Sequence, residues 1–342
     1  MMNIAVFGAT GQVGVVMRNL LVERNFAFDQ IRFFASPRSA GTKLTFAGRD
    51  IEVENSYEAS FDGIDIALFS NGATASRELA PKVAAAGAIV VDNSSAWRMN
   101  PEVPLVVPEV NAEELDEIPL GIVANPNCTT MVCMSPLAVL RDRYGLLRVV
   151  ASTYQAVSGA GIKGVQELQG QLSRGGDRLS ELTFDGEAVD LGRPEAFVSP
   201  IAANVIPLAG SLVDDETNEE HKFRDETRKI LGLPGLRVAA TCVRVPVFTG
   251  HSVSLNVELE SSFDIAELRQ VLAAAPAVVM VDVPTPLLAA GKDPSYVGRV
   301  RRDDSVGNGV ALFVAGDNLR KGAALNTIQI AEALVERGVV KA

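Results

Sequence analysis

The chain has 342 residues, 47% hydrophobic and 21% charged, with a formal net charge of −11. At roughly 100–200 residues per domain this predicts a globular protein of two domains, each with enough apolar residues for its own core. The acidic balance argues against nucleic acid or an anionic membrane as partner, because either needs clustered Lys and Arg, but a few local arginines still suffice for an anionic small substrate.

The amino terminus "MMNIAVFGATG" has no basic segment and turns glycine-rich after one short apolar run, which reads as a strand and a turn, not a signal peptide. Through the first third, "NIAVFG", "IRFFAS", "IDIALFS", "AIVVDNS" and "GIVANP" look like buried parallel strands, apolar on both faces. Between them "QVGVVMRNLLVERN" and "ASRELAPKVAAAG" have helical periodicity, the second closing on Gly87 as a C-cap. This alternation predicts a doubly wound α/β sheet. From about Val149 the texture changes: "VVASTYQAV", "LRVAATCVRVPVFTG" and "HSVSLNVELE" are longer and more alternating, as in a mixed sheet with one covered face. Helices are expected at Gly164–Ser173, Asn218–Leu231 and Ile265–Ala274. The tail "GDNLRKGAALNTIQIAEALVERG" reads as a glycine-bearing loop leading into an amphipathic helix that folds back on the first domain. The stretch Val271–Ala290 contains Asp282 and three prolines and is unsuited to spanning a membrane.

"GATGQVG", Gly8 to Gly14, follows the first strand directly. Glycines 8, 11 and 14 permit a tight turn, a close approach to phosphate, and close packing of helix on strand, so a Rossmann-type dinucleotide site is expected. An NAD site usually ends its second strand on Asp or Glu. Here "FFASPRSAG" offers Ser36, Arg38 and Ser39 instead, a cation and hydroxyls suited to a 2′-phosphate, which points to NADP.

Three cysteines form an odd set with no CxxC spacing, so no disulfide framework or thiol-rich metal site is expected, and the chain reads as cytoplasmic. Cys133, between Val132 and Met134, looks like filler. Cys128 follows "NPN" and opens a helix expected to end near Gly145, with Pro136 inside it. Asn127 or Cys128 sits near the N-cap, where the helix dipole favours a thiolate and the amides suit an oxyanion; a structural Cys at a helix start is the bland alternative. Of two histidines, His221 lies in a charged helix, whereas His251 lies at a turn between strands and is the candidate acid/base. A purely structural His251 remains open at this level. Arg244, inside an apolar strand, needs a partner that is either distant protein or a substrate carboxylate. Arg98, at the end of a strand, is a second candidate anion clamp, and Glu219 with Lys222 form a candidate helical ion pair.

In order and spacing, "GATGQVG", "DNSSAWR", "NPNCTT", "YQAVSGAG", "EEHK", "CVRVPV", "GHS" and "GDNLRKGAALN" resemble the bacterial aspartate-semialdehyde dehydrogenases over essentially the whole chain, with "RSAG" suiting the Gram-positive-like branch. The resemblance implies a Rossmann-type domain (1–128 plus 318–342) and an α+β catalytic and dimerisation domain with a mixed sheet (129–317). It implies Cys128 as nucleophile, Gln155 as orienting residue and His251 as acid/base. Arg244 would grip the substrate carboxylate and Glu219 its amino group, with Arg98, Asn127 and Lys222 binding phosphate. Gly8, Thr10, Gly11, Gln12, Val13, Gly14, Ser36, Arg38, Ser39, Ser158, Gly159, Gly161 and Asn318 would contact NADP(H). The implied reactants are aspartyl phosphate, aspartate semialdehyde and inorganic phosphate, and the implied assembly is a homodimer, sometimes a tetramer. Rival expectations are an N-acetylglutamyl phosphate reductase, a glyceraldehyde phosphate dehydrogenase, disfavoured by Met131 and "ASPRS", and a non-catalytic cofactor-binding paralogue.

Overall fold

A computed structural model describes residues 2–341. Two compact units divide the chain, and each is described by itself. The first comprises the residues up to Ala138, Asp225–Pro234, and those from Arg320 onward; the second comprises Val139–Arg224 and Gly235–Leu319.

The first unit is built on strands β1 (Asn3–Phe7), β2 (Gln30–Ala35), β3 (Lys43–Phe46), β4 (Arg49–Asn55), β5 (Ile66–Phe69), β6 (Ile89–Asp92) and β7 (Ile122–Ala124), in the spatial order 3-4-2-1-5-6-7. All pairs are parallel except β3–β4. Helices α1 (Gln12–Glu23) and α2 (Ala73–Ala85) follow β1 and β5. The apolar strand runs place Phe7 at the centre, 4.4 Å from the ring of Phe34 and 4.2 Å from that of Phe69. Each such fully buried aromatic contributes on the order of 2–3 kcal/mol. Because β1 pairs with both β2 and β5, the crossovers leave it in opposite directions, and the loops after β1 and β5 meet at this switch point, where α/β sheets bind ligands.

The tail forms a π-helix, Arg320–Leu325, continuing into an α-helix, Asn326–Glu336, whose Ile328, Ile330, Ala331 and Leu334 enter the core of the first unit. The loop expected before this helix is therefore itself helical. The β3–β4 hairpin has no counterpart in the sequence reading; it turns through Ala47 and Gly48, both at positive φ, which is the geometry a two-residue hairpin needs.

Helix α3 (Cys128–Tyr144) begins in the first unit. The expected limits, 128/129 and 317/318, thus differ from the observed 138/139 and 319/320, and Asp225–Pro234 also joins the first unit. The cause is packing: residues of α3 such as Met131, Val132 and Met134 are buried, and Glu226 and Lys229 bond to the loops around Arg98.

In the second unit, β8 (Leu146–Gln155), β9 (Arg237–Arg244), β10 (His251–Leu259), β11 (Val278–Met280), β12 (Ser295–Asp303) and β13 (Gly309–Gly316) form a mixed sheet ordered 9-8-10-13-12-11. Parallel β8 and β9 end together, Gln155 opposite Arg244. Antiparallel β10 begins at that same edge, with Ser252 opposite Tyr154 and His251 opposite Gly316. Register alone therefore brings Gln155, Arg244 and His251 to one end of the sheet. Helices α4 (Ile162–Gly175), α5 (Asn218–Ile230) and α6 (Ile265–Ala273) match the expected segments closely.

Candidate active site

The glycine turn lies between β1 and α1. Gly8 has φ +76, and a Cβ there would overlap the carbonyl of Ser70 after β5; a Cβ on Gly14 would overlap the carbonyl of Gly8. Both positions thus require glycine, while Gly11 N–H closes the turn on Gly8 O at 3.0 Å. Helix α1 has no side-chain cap, so the first-turn amides of Gln12, Val13 and Gly14 retain their donor capacity. Close by, Gln12 Oε1 and both amide atoms of Asn71 are buried without a hydrogen-bond partner among the described residues. Of these atoms Asn71 Nδ2 is a donor, and with the uncapped first-turn amides it fits a nucleotide phosphate, which only accepts; the two side-chain oxygens are acceptors and suit a donor instead. Ser36 and Arg38 are exposed after β2 and Ser39 is half-buried. Ser39 N–H bonds Ser36 O at 2.9 Å, closing a short turn in which no carboxylate stands.

Asn127 caps the helix of Cys128. Its Oδ1 accepts from the amides of Thr129 (2.9 Å) and Thr130 (3.4 Å), while its carbonyl accepts from Met131 N–H. Such a cap contributes about 1 kcal/mol. It also engages amides that the sequence reading left open for an oxyanion. The three cysteines form no disulfides. Burial pushes the thiols of Cys133 and Cys242 up, the latter to about 12, which disfavours the thiolate in both; of the three cysteines Cys128 is the half-exposed one. Gly322 of the π-helix packs against it, a Cβ there reaching 2.9 Å from Cys128 Cβ.

Arg98 is buried in the same unit. Its Nε donates to Asn125 O (2.8 Å), one terminal nitrogen to Asn93 O (2.9 Å) and the other to Glu226 Oε1 (3.1 Å). Those bonds use three of five guanidinium hydrogens, leaving one on each terminal nitrogen, the fork that grips an oxyanion. Lys229 Nζ donates to the carbonyls of Arg98, Asn100 and Val103 and fixes the loop that carries the arginine.

At the sheet edge of the second unit, His251 is completely buried and its Nδ1 accepts from Ala156 N–H at 3.0 Å. The ring hydrogen therefore sits on Nε2. Burial, followed by the nearby Arg244 charge and opposed by Glu219, lowers its pKa to about 3, so the ring is neutral near pH 7. Arg244 Nη1 donates to Ala156 O at 2.7 Å, and its guanidinium lies 5.9 Å from the Phe197 ring. A Cβ on Gly159 would stand 2.9 Å from Arg244 Nη1 and 3.1 Å from His251 Nε2, so that glycine keeps the approach to both groups open. Gln155 accepts at Oε1 from Thr153 Oγ1 and donates to Glu219 Oε2 at 3.4 Å; Glu219 Oε1 in turn holds Lys222 Nζ at 2.6 Å. The helical pair expected from spacing is present. Asn318 accepts at Oδ1 from Gly250 N–H (2.8 Å) and donates to Ser158 Oγ (2.9 Å). It ties the Ser158 loop to the turn ahead of His251, and Gly161 ends that loop at φ +79.

The first unit thus brings together Arg98, Asn127 and Cys128, and separately Gly8 to Gly14. The second brings together Gln155, Ser158, Gly159, Glu219, Lys222, Arg244, His251 and Asn318. Sequence reasoning missed Asn71, Glu226 and Gly322. Glu226 had a signal, standing four residues after Lys222 and seven after Glu219 in a single helical pattern. Among the described residues no cluster of His, Cys, Asp or Glu is placed to hold a metal, and no helix is long and apolar enough to cross a membrane.

Two family models cover most of the chain. Residues 3–118 match the NAD binding domain model of semialdehyde dehydrogenases, and residues 137–321 match their dimerisation domain model. Aspartate-semialdehyde dehydrogenases of Corynebacterium glutamicum and Mycolicibacterium smegmatis are each 57% identical, covering 98% of this chain and 100% and 99% of their own. The crystal structure of aspartate semialdehyde dehydrogenase II from Vibrio cholerae, complexed with ASA, is 40% identical with a TM-score of 0.91, covering 98% of both chains.

Proposed function

The chain belongs to the aspartate-semialdehyde dehydrogenase family, and we propose that it converts L-aspartyl-4-phosphate and NADPH to L-aspartate 4-semialdehyde, phosphate and NADP through a thioester on Cys128. The observation that carries this reading is the Cys128 helix head: the half-exposed thiol of the three, at a capped helix start whose dipole favours the thiolate. Attack of that sulfur on the acyl carbonyl forms a C–S bond, and the C–O bond to phosphate breaks with the electron pair leaving on phosphate. The two remaining Arg98 hydrogens suit that anion, and Lys222 is the second phosphate cation. Asn127 acts chiefly by capping the helix. When bound, the dinucleotide supplies a hydride to the thioester carbonyl; return of the C–S pair to sulfur then frees the aldehyde. Covalent capture divides one difficult displacement into two easier ones.

Arg244 grips the substrate's α-carboxylate as a fork, and Glu219 takes its ammonium, exchanging the Lys222 contact for it. His251 Nε2–H donates to the carbonyl oxygen on which charge grows, with Gln155 orienting the same group. A substrate carboxylate on Arg244 removes the cationic part of the depression on His251, and a substrate ammonium on Glu219 removes the opposing effect of that carboxylate. Gly8, Thr10, Gly11, Gln12, Val13 and Gly14 hold the pyrophosphate, and Ser36, Arg38 and Ser39 the 2′-phosphate that distinguishes NADP from NAD. The Ser158–Gly161 loop, with Gly159 and Asn318, borders the nicotinamide. The matched dimerisation domain supports a homodimer, with a tetramer as the larger alternative, and the reduced thiols support a cytoplasmic enzyme.

The test is a spectrophotometric assay of the purified protein with aspartate semialdehyde, phosphate and NADP. Phosphate-dependent formation of NADPH is expected. Absence of turnover with this aldehyde, or turnover independent of phosphate, would overturn the reading.

A further inference from the structure

Glu226 is a carboxylate the reaction above does not use, yet it is only 1% exposed. Its Oε1 accepts from Arg98 Nη1 at 3.1 Å and its Oε2 from the backbone N–H of Asn127 at 2.6 Å. One side chain therefore joins the anion clamp to the residue immediately ahead of the thiol. A buried ion pair of this kind is a poor stability device, since desolvation offsets much of the attraction, but stripping one partner leaves an uncompensated charge. Here the stranded charge would be Arg98, and an anion on its two remaining hydrogens is a countercharge able to compensate it.

We propose that Glu226 is a positioning residue that couples Arg98 to the Cys128 turn and moderates both, holding phosphate weakly enough to leave and keeping the thiol from ionising too readily. The inference rests on the roles proposed above for Arg98 and Cys128. Other charges of the first unit near this turn include Lys229 on the same helix, the Lys321–Glu109 pair beside Gly322, and Asp92 near Arg98. All of them stay unchanged when Glu226 alone is varied, so a difference between variants reports this carboxylate.

Glu226→Gln removes the charge while retaining one acceptor; Glu226→Asp retains the charge but withdraws it by one methylene. The rate of iodoacetamide alkylation at Cys128, followed by peptide mass spectrometry across pH, gives the thiol midpoint in each full-length protein. Phosphate half-saturation and kcat are measured in parallel. For Glu226→Gln the midpoint is expected to fall by about half a unit to one unit, and phosphate half-saturation to fall about three- to tenfold. For Glu226→Asp the midpoint is expected to hold while kcat drops about tenfold. An unchanged midpoint in Glu226→Gln, or a raised phosphate half-saturation, overturns the proposal. Should that variant fail to fold, Glu226→Asp decides alone, and an unaltered kcat overturns it. The alkylation arm needs no turnover, so failure of the proposed reaction in the wild type remains distinguishable from failure here.

Discussion

Acidification should destabilise this protein in part through His251, and His251→Asn isolates that part. The imidazole is buried as the neutral form with a pKa near 3, against 6.5 in an exposed chain. Between those values the unfolded state binds a proton that the folded state refuses. Stability from this site is therefore complete above pH 6.5 and is lost progressively as pH falls toward 3. At 1.36 kcal/mol per unit, the loss by pH 5 is about 2 kcal/mol, within a total on the order of 4–5 kcal/mol. In a domain of this size that corresponds to a melting shift of about 4–8 °C. Asn retains an acceptor for Ala156 N–H but does not titrate, so its melting temperature should fall less between pH 7.5 and pH 5 than that of the wild type, by about that margin. Differential scanning calorimetry of both proteins at matched pH checks this, and other acid-titrating groups cancel in the difference. Parallel slopes would refute the buried neutral ring, and a steeper slope in the variant would reverse the sign of the argument.

Arg244→Lys should raise KM for aspartate semialdehyde about tenfold or more with a smaller effect on kcat, because a point charge replaces a fork; steady-state kinetics at saturating phosphate separates the two, and an unchanged KM would confine Arg244 to its bond with Ala156. Arg38→Ala should narrow the preference for NADP over NAD about tenfold, read as the ratio of kcat/KM values, and leave NAD turnover nearly intact. Gly322→Ala places a methyl 2.9 Å from Cys128 Cβ; it should cost about 1–3 kcal/mol in stability and lower kcat, with NADP affinity by fluorescence titration unchanged.

Much of the site was legible because it sits on local patterns. The strand, glycine turn and helix at Gly8–Gly14 are contiguous, as are Asn127 and the helix it caps. His251 and Arg244 were reachable because few histidines exist to choose from and an arginine inside an apolar strand demands an explanation. Their meeting with Gln155 follows from sheet register, which no single segment encodes. Glu226 was lost in "EEHKFRDETRKI", where charge density reads as a solvated face; the distant Arg98 and Asn127 hold that position in the interior. The β3–β4 hairpin went unseen because it turns through Ala47-Gly48 in place of Asn-Gly. The π-helix depends on packing of Lys321 with Glu109 and of Gly322 with Cys128, contacts more than a hundred residues away in sequence. Asn71 had no signal, since an orphaned amide is recognisable only once its surroundings are known.

The central claim is that the substrate's acyl group passes onto Cys128. Mixing the protein with aspartyl phosphate in the absence of reduced cofactor, then quenching in acid and mapping peptides by mass spectrometry, should find an aspartyl adduct on the peptide containing Cys128, released by hydroxylamine and missing from Cys128→Ser. An adduct on Cys133, or turnover by Cys128→Ser at the wild-type rate, would contradict it.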